Sequence, residues 1–285
     1  MEISGFITAH ESAIRLGAFF SVLLAMALWE IAAPRRPLSI SKGPRWTANL
    51  GMAIFNTILV RLLFPLAGVG MAAYAAERGF GLFNNVDMPY WLATIASIVV
   101  LDLVIYLQHV LFHAVPVLWR LHRVHHADLD FDVTTGARFH PIEIALSMLI
   151  KFVAILVLGA PATAVVLFEV ILNATAMFNH GNVRIPHGVD RALRWLIVTP
   201  DMHRLHHSVD RSETDSNFGF NLSLWDRFLG TYRAHPARGH EAMIVGITDY
   251  RDPAQCATLS GMLALPFRGT PSRIRHSVNV PHESY

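Results

Sequence analysis

Eight of the sixteen histidines in this 285-residue chain fall into three short clusters. His109 and His113 are spaced i, i+4. His122, His125 and His126 are spaced i, i+3, i+4, and His203, His206 and His207 repeat that second spacing later in the chain. On an α-helix each set projects from one face. A lone HxxxH carries little information, but two copies of HxxHH beside it are hard to obtain by chance. Imidazole nitrogen binds iron, zinc, copper and nickel, so the pattern points to metal ligation without choosing the metal. Eight imidazoles exceed the needs of one ion, since a catalytic zinc takes three protein ligands. Two ions, each with several histidines and an open position, would use them. Buried imidazoles without partners would be costly.

Composition narrows the setting. Only 15% of residues are charged and the mean hydropathy is +0.40, which is apolar for a soluble globule. A net charge of +2 gives no sign of a nucleic-acid binder. The single cysteine, Cys256, excludes an intrachain disulfide and a multi-thiolate zinc site. The first twelve residues hold Glu2 and Glu11 and no Lys or Arg, so the basic start of a secretory signal is missing.

The elements that must position the clusters read as membrane helices. Residues 13–33 form an apolar run long enough to span a bilayer, followed by a basic, proline-broken loop. Residues 48–75 form a second run, interrupted by Arg61 and Pro65. Residues 90–112 form a third, which ends at His109 and His113. Pro116 breaks that helix and can open the next, which carries Trp119 to His126. Residues 142–178 are apolar again around Gly159-Ala160-Pro161, which reads as a turn between two arms at the short limit for a span, whether crossing or re-entrant. Before the third cluster, Thr199 suits an N-cap, Pro200 the first helical position and Asp201 the positive helix end. The expected fold is all-α: a polytopic membrane bundle with a cytoplasmic, helical, histidine-rich cap. Its parts are N-terminal membrane helices over 1–89, a catalytic region over 90–235 and a C-terminal cytoplasmic tail over 236–285.

Charge gives an orientation. The 34–47 loop has four Lys/Arg, the 114–141 segment three and the region after 179 twelve, against one in the 76–89 loop. The positive-inside rule puts the histidine clusters and the C-terminus in the cytoplasm. Lys151 and Glu169 each lie nine positions from Ala160 and are expected to pair across the hairpin at one depth. Asp102 could orient His109 or pair with Arg61 of the previous span. His140, before Pro141, fits a structural or a ligand role equally. The aromatic stretch 218–232 reads as a docking surface more than a substrate pocket. His10-Glu11 and His240-Glu241 begin like HExxH but lack its second histidine.

HxxxH, HxxHH and HxxHH, in this order on a polytopic chain, resemble the fatty acid hydroxylase and sterol desaturase superfamily. Arg138-Phe139-His140-Pro141-Ile142-Glu143, Thr199-Pro200, Asp215-Ser216-Asn217-Phe218-Gly219 and Trp225-Asp226-Arg227-Phe228-Leu229-Gly230-Thr231 are also similar to its pattern. The resemblance covers about residues 90–235. It implies a non-haem di-iron enzyme, with two iron ions, that uses dioxygen to hydroxylate or desaturate a fatty acyl chain, a sterol or a related lipid in the membrane. His109, His113, His122, His125, His126, His203, His206 and His207 match its ligand motifs. His180, in Phe178-Asn179-His180-Gly181-Asn182, resembles an extra metal histidine between the second and third motifs. The next histidine is His187, seven residues on, which departs from the HxxxH of the sphingolipid-type 2-hydroxylases. The His-Pro-Gly-Gly of a fused cytochrome b5 domain is absent, which implies a separate electron donor protein. The competing readings are a zinc-binding membrane protein and a haem-binding electron-transfer protein. The adjacent pairs His125-His126 and His206-His207 disfavour haem, which takes isolated axial ligands.

Overall fold

The computed structural model describes residues 3–269, so Glu2 and the last part of the expected C-terminal tail lie outside it. In chain order the helices are α1 (Ile3–Ala9), α2 (Glu11–Ala32), α3 (Lys42–Leu63), α4 (Ala67–Arg78), α5 (Tyr90–Ala114), α6 (Pro116–His126), α7 (Pro141–Leu158) and α8 (Ala162–Asn179). The short helices α9 (His187–Leu193), α10 (Pro200–His206), α11 (Arg211–Thr214), α12 (Leu224–Phe228), α13 (Gly239–Ala242), α14 (Pro253–Cys256) and α15 (Leu259–Ala264) follow. Among the described residues there are isolated β-bridges but no strand.

Five segments are long and apolar enough to cross a membrane: Glu11–Ala32, Lys42–Arg78, Tyr90–Ala114, Pro141–Leu158 and Ala162–Asn179. Their outward faces carry large apolar side chains that water would penalise and lipid would not, such as Leu16, Phe20, Leu24 and Leu28 of α2 and Leu149, Val153 and Val157 of α7. Inward, α5, α7 and α8 pack Leu101, Ile105, Ile155, Val165 and Phe168 into one buried cluster.

Two expectations change in detail. The second apolar run is two helices, because Pro65 cannot donate a backbone hydrogen bond and the chain breaks between Leu63 and Ala67. Helix α3 also starts earlier than the apolar run, with Lys42 and Arg45 in its first turns. The turn around Ala160 is as expected. Gly159 closes α7 at φ +63°, a left-handed position that glycine takes without strain, and Pro161 precedes α8.

The hairpin pair forms, with a third member. Lys151 Nζ lies 2.5 Å from Glu169 Oε1, and Arg15 Nη1 of α2 lies 2.7 Å from Glu169 Oε2. One carboxylate therefore answers two cations and ties α2 to the hairpin. Glu169→Gln should lower the melting temperature in detergent more than Lys151→Met does, because it leaves Lys151 without a counter-charge and Arg15 with Glu11 alone. The double variant should be less destabilised than the sum of the two, with a coupling of about 1–3 kcal/mol. Additive effects in that cycle would refute the pair.

The polar stretch after α6 is not a surface loop. Arg45 donates to Asp128 at 2.7 Å and pairs with Asp132. Arg138 lies 3.3 Å from Asp128. Trp46 Nε1 donates to Asp132 at 2.9 Å, and Asp130 accepts the backbone N–H groups of Ser39 and Ile40. All of Asp128, Asp130, Asp132, Arg45 and Arg138 are buried. Burial alone would raise the Asp128 carboxyl, but the two guanidinium groups outweigh it and hold it at about 2. Residues beyond 236 also pack down: Tyr250, Cys256, Met262 and Leu265 join Ala48, Met52 and Val124 in a second core. Arg120 and Arg123 of α6 donate to the carbonyls of Pro266 and Leu265. Helix α6 is thus gripped on both sides.

Candidate metal centre

Nine buried histidines converge in two adjoining groups, each with the ligand geometry to hold a metal ion. One contains His109, His113, His122, His126 and His206. The other contains His125, His180, His203 and His207. The helical repeat explains the sorting. His109 and His113 are one turn apart on α5 and face the first group together. On α6, His122 and His126 are also one turn apart and share that group, while His125 turns to the second. The third cluster does the reverse: His203 and His207 join the second group and His206 the first. The two groups touch where the His126 and His207 rings stack, centroids 4.4 Å apart.

His180 comes from the C-cap of α8, where the chain leaves the membrane hairpin. Thr199 stands at the N-cap of α10 with Pro200 behind it, although its hydroxyl makes no capping bond, and His207 is the C-cap residue. His140 joins neither group. It caps α7, accepting from the Ile142 N–H, and its Nε2 lies 3.3 Å from the Leu263 carbonyl. His187 sits at the surface beside Arg191.

Outer partners fix the rings. His109 Nδ1 donates to the Phe218 carbonyl at 2.7 Å and His206 Nδ1 to the Ser216 carbonyl at 2.7 Å. His180 Nδ1 donates to the Ala176 carbonyl at 2.7 Å. His122 Nδ1 lies 2.6 Å from Glu143 Oε1, and His113 Nδ1 lies 3.3 Å from Asp215 Oδ1. A backbone carbonyl can only accept, so His109, His180 and His206 carry the proton on Nδ1 and, as neutral rings, turn bare Nε2 lone pairs inward. His109 Nε2 and His206 Nε2 then stand 3.0 Å apart, lone pair to lone pair. His180 Nε2 stands 3.1 Å from His125 Nε2 and 3.0 Å from His203 Nε2. The His109–His206 pair is repulsive until a cation sits between its nitrogens, and the donor set fits a metal ion. Burial pushes His122 down to about 3 and His180 down to about 4. Burial and mutual repulsion hold His125, His126, His203, His206 and His207 well below the usual imidazole range. Neutral imidazole is the ligating form.

The stretch 215–219 is the support layer, a role that no spacing rule reveals. Asp215 faces His113, the Ser216 carbonyl holds His206 and the Phe218 carbonyl holds His109. Asn217 takes φ +53°, which asparagine tolerates, and its side chain ties the Met202 carbonyl to Arg233. A Cβ on Gly219 would stand 2.7 Å from Asp226 Oδ2. That carboxylate accepts from Phe218 N at 2.7 Å, Gly219 N at 2.9 Å and Thr231 Oγ1 at 2.7 Å, and burial raises it to about 6. Asp102 neither touches His109 nor pairs with Arg61: it accepts from Trp225 Nε1 at 2.8 Å and Leu222 N at 3.2 Å, anchoring the same stretch to α5. The aromatic residues of 218–232 pack and dock, as expected of a docking surface. Trp225 docks, whereas Phe218 and Phe220 pack against the imidazoles, with centroids 5.5 Å from His109.

Glu143 was legible only as part of a similar motif. Its bond to His122 fixes the orientation of that imidazole, the role a carboxyl group plays beside a metal-binding histidine. Glu143→Gln should weaken metal retention about 10–100-fold in a chelator competition while the helices stay folded. Unchanged retention would reduce Glu143 to a packing role.

Residues 94–231 match the sequence model of the fatty acid hydroxylase family. An ornithine lipid hydroxylase of Rhizobium tropici is 30% identical over 173 residues, 61% of this chain and 51% of that protein. An alkylglycerol monooxygenase of Xenopus tropicalis is 26% identical over 227 residues, 75% of this chain and 46% of that protein. A fatty acid hydroxylase of Lecanicillium sp is 27% identical over 205 residues, 67% and 55% respectively. The chain spans about half the length of these relatives. No solved structure matches it significantly.

Proposed function

Because residues 94–231 belong to the fatty acid hydroxylase family, we propose that this protein is a membrane-bound, dioxygen-dependent oxidoreductase that hydroxylates a lipid at a di-iron centre. The observation that carries the reading is the opposed Nε2 lone pairs of His109 and His206, with the bare Nε2 of His180 aimed at His125 and His203. His109, His113, His122, His126 and His206 would hold one ion and His125, His180, His203 and His207 the other. Residues 90–235 form the catalytic region, framed by the membrane helices of 1–89 and by residues 236–285. The relatives named above are hydroxylases and monooxygenases, which favours oxygen insertion over desaturation.

Iron held by imidazoles supplies dioxygen activation, the chemistry that an unactivated C–H bond requires. The overall balance converts C–H, O2, two electrons and two protons into C–OH and water. The chain's own groups provide the rest. The Phe218 and Ser216 carbonyls hold His109 and His206 in one tautomer, and Glu143 and Asp215 stand against the Nδ1 atoms of His122 and His113. Phe139, stacked on His125 at 4.3 Å, and Phe131, 5.4 Å from His180, keep water from that group. Because α5 carries His109 and His113 at its end, an acyl or alkyl chain lying among the spans would meet the site from the bilayer, its headgroup at the surface. The Lys/Arg asymmetry supports a cytoplasmic position for this end, where a separate electron donor protein would dock.

The test is purification in detergent with metal analysis, followed by lipid analysis of cells with and without the gene. About two irons per chain, and lipids heavier by one oxygen that depend on the protein, are the expected result. One tightly bound zinc per chain with no oxidised lipid would overturn the reading in favour of a zinc-binding membrane protein.

A further inference from the structure

Away from the histidines, a cleft of about 330 Å³ opens between α9 and the segment after α12. Its lining includes Arg191, Arg194, Arg227, His187 and His235, against a single carboxylate, Asp190. Asp190 is already paired with Arg194. Arg227 is sandwiched between Trp195 and Tyr232, at 4.3 and 3.9 Å from their ring centroids, and donates to the Arg194 carbonyl. The Nε atoms of Arg194 and Arg227 are buried without a partner. Arg191 is exposed, and its bond is to His187. The cleft therefore holds more cationic donors than the protein answers, which suits an anion.

Trp195 of the lining and the residues that follow the lining in the chain, Leu196 after Trp195 and Phe228–Leu229 after Arg227, are apolar and 64%, 58%, 76% and 53% exposed. Its depth follows from α5. Trp225 of α12 bonds to Asp102, about three turns before α5 ends at Ala114, and Thr231 bonds to Tyr106, about two turns before that end. The segment carrying Phe228 and Leu229 thus lies beside the last turns of a membrane span, where apolar rings meet acyl chains and arginines meet headgroups.

We propose that this cleft binds the phosphate-bearing headgroup of an anionic membrane lipid, with Arg191, Arg194 and Arg227 on the phosphate and the Trp195–Leu196 and Phe228–Leu229 rim in the acyl region. The site is separate from the histidine groups and does not depend on their metal. It fixes the short helices that carry the site against the membrane surface.

The test uses the full chain in detergent and native mass spectrometry, with phosphatidylglycerol, phosphatidylcholine and inorganic phosphate as probes. Phosphatidylglycerol should be retained about fivefold or more over phosphatidylcholine, since each basic side chain near a surface favours an anionic lipid by about that factor. Arg191→Gln should remove about fivefold of that retention and Arg191→Glu about 25-fold, while Arg191→Lys keeps it and metal content stays unchanged in all three. Arg191 is exposed at the cleft mouth, so these variants fold. A preference that survives both Arg191→Gln and Arg191→Glu overturns the proposal. So does full displacement of phosphatidylglycerol by millimolar inorganic phosphate, which would make the cleft a free-phosphate site.

Discussion

Replacing His206 by alanine is expected to abolish lipid oxidation in a chain that still accumulates in the membrane. His206 is fully buried, its Nδ1 is committed to the Ser216 carbonyl, and its Nε2 stands 3.0 Å from His109 Nε2. Alanine removes one of five imidazoles from the first group and opens a hole among those that remain. Iron should fall from about two per chain to about one or fewer, and oxidised product to background. His125→Ala should do the same from the second group. His187→Ala is the control: His187 is exposed and outside both groups, so activity and iron should be unchanged. Activity that survived His206→Ala would sink the di-iron reading.

The second large effect is expected from a residue outside both histidine groups. Arg45 is fully buried between Asp128 and Asp132 on the loop that follows His126. Arg45→Met leaves both carboxylates buried with Arg138 as the remaining cation near them. Stripping one partner from a buried pair costs about 3–5 kcal/mol, a large part of the roughly 5–15 kcal/mol that holds a domain folded. Thermal unfolding in detergent should show a strong drop, with metal lost at the lower transition. Arg45→Met with Asp128→Asn and Asp132→Asn should recover part of the loss, because the orphaned charges are gone. If Arg45→Met melted within about 2 °C of the parent, the network would be far weaker than its burial implies.

The residues differ in how openly the sequence declared them. The i, i+4 and i, i+3, i+4 spacings of the histidines follow from helix pitch, so their convergence was readable without a structure. The hairpin was readable because Gly159-Ala160-Pro161 punctuates an apolar run and because Lys151 and Glu169 lie at matched distances from it. Arg15 was not readable as the third member, since the pairing of α2 with the hairpin is a long-range contact that no local pattern encodes. The same limit hid the Arg45 network. Asp128, Asp130 and Asp132 look like a solvated loop until a helix some eighty residues earlier closes over them. The carbonyls of Ser216 and Phe218 were hidden for another reason: every residue has a carbonyl, and only the fold says which one faces an imidazole.

The reciprocal sorting of the two HxxHH clusters has a geometric consequence. His125 and His126 are neighbours in the chain, yet they serve different groups, and so do His206 and His207. Neighbours on a helix diverge by about 100° and rise about 1.5 Å. The interval between the two histidine groups is therefore a property of helical pitch, held by backbone hydrogen bonds. No flexible arm sets it. The ruler is used twice, in opposite senses, on α6 and α10, so an error on one helix is checked by the other. Inserting one residue between His122 and His125 would turn the adjacent pair by about 100° relative to His122 and deliver neither imidazole to its group, although every histidine would still be present.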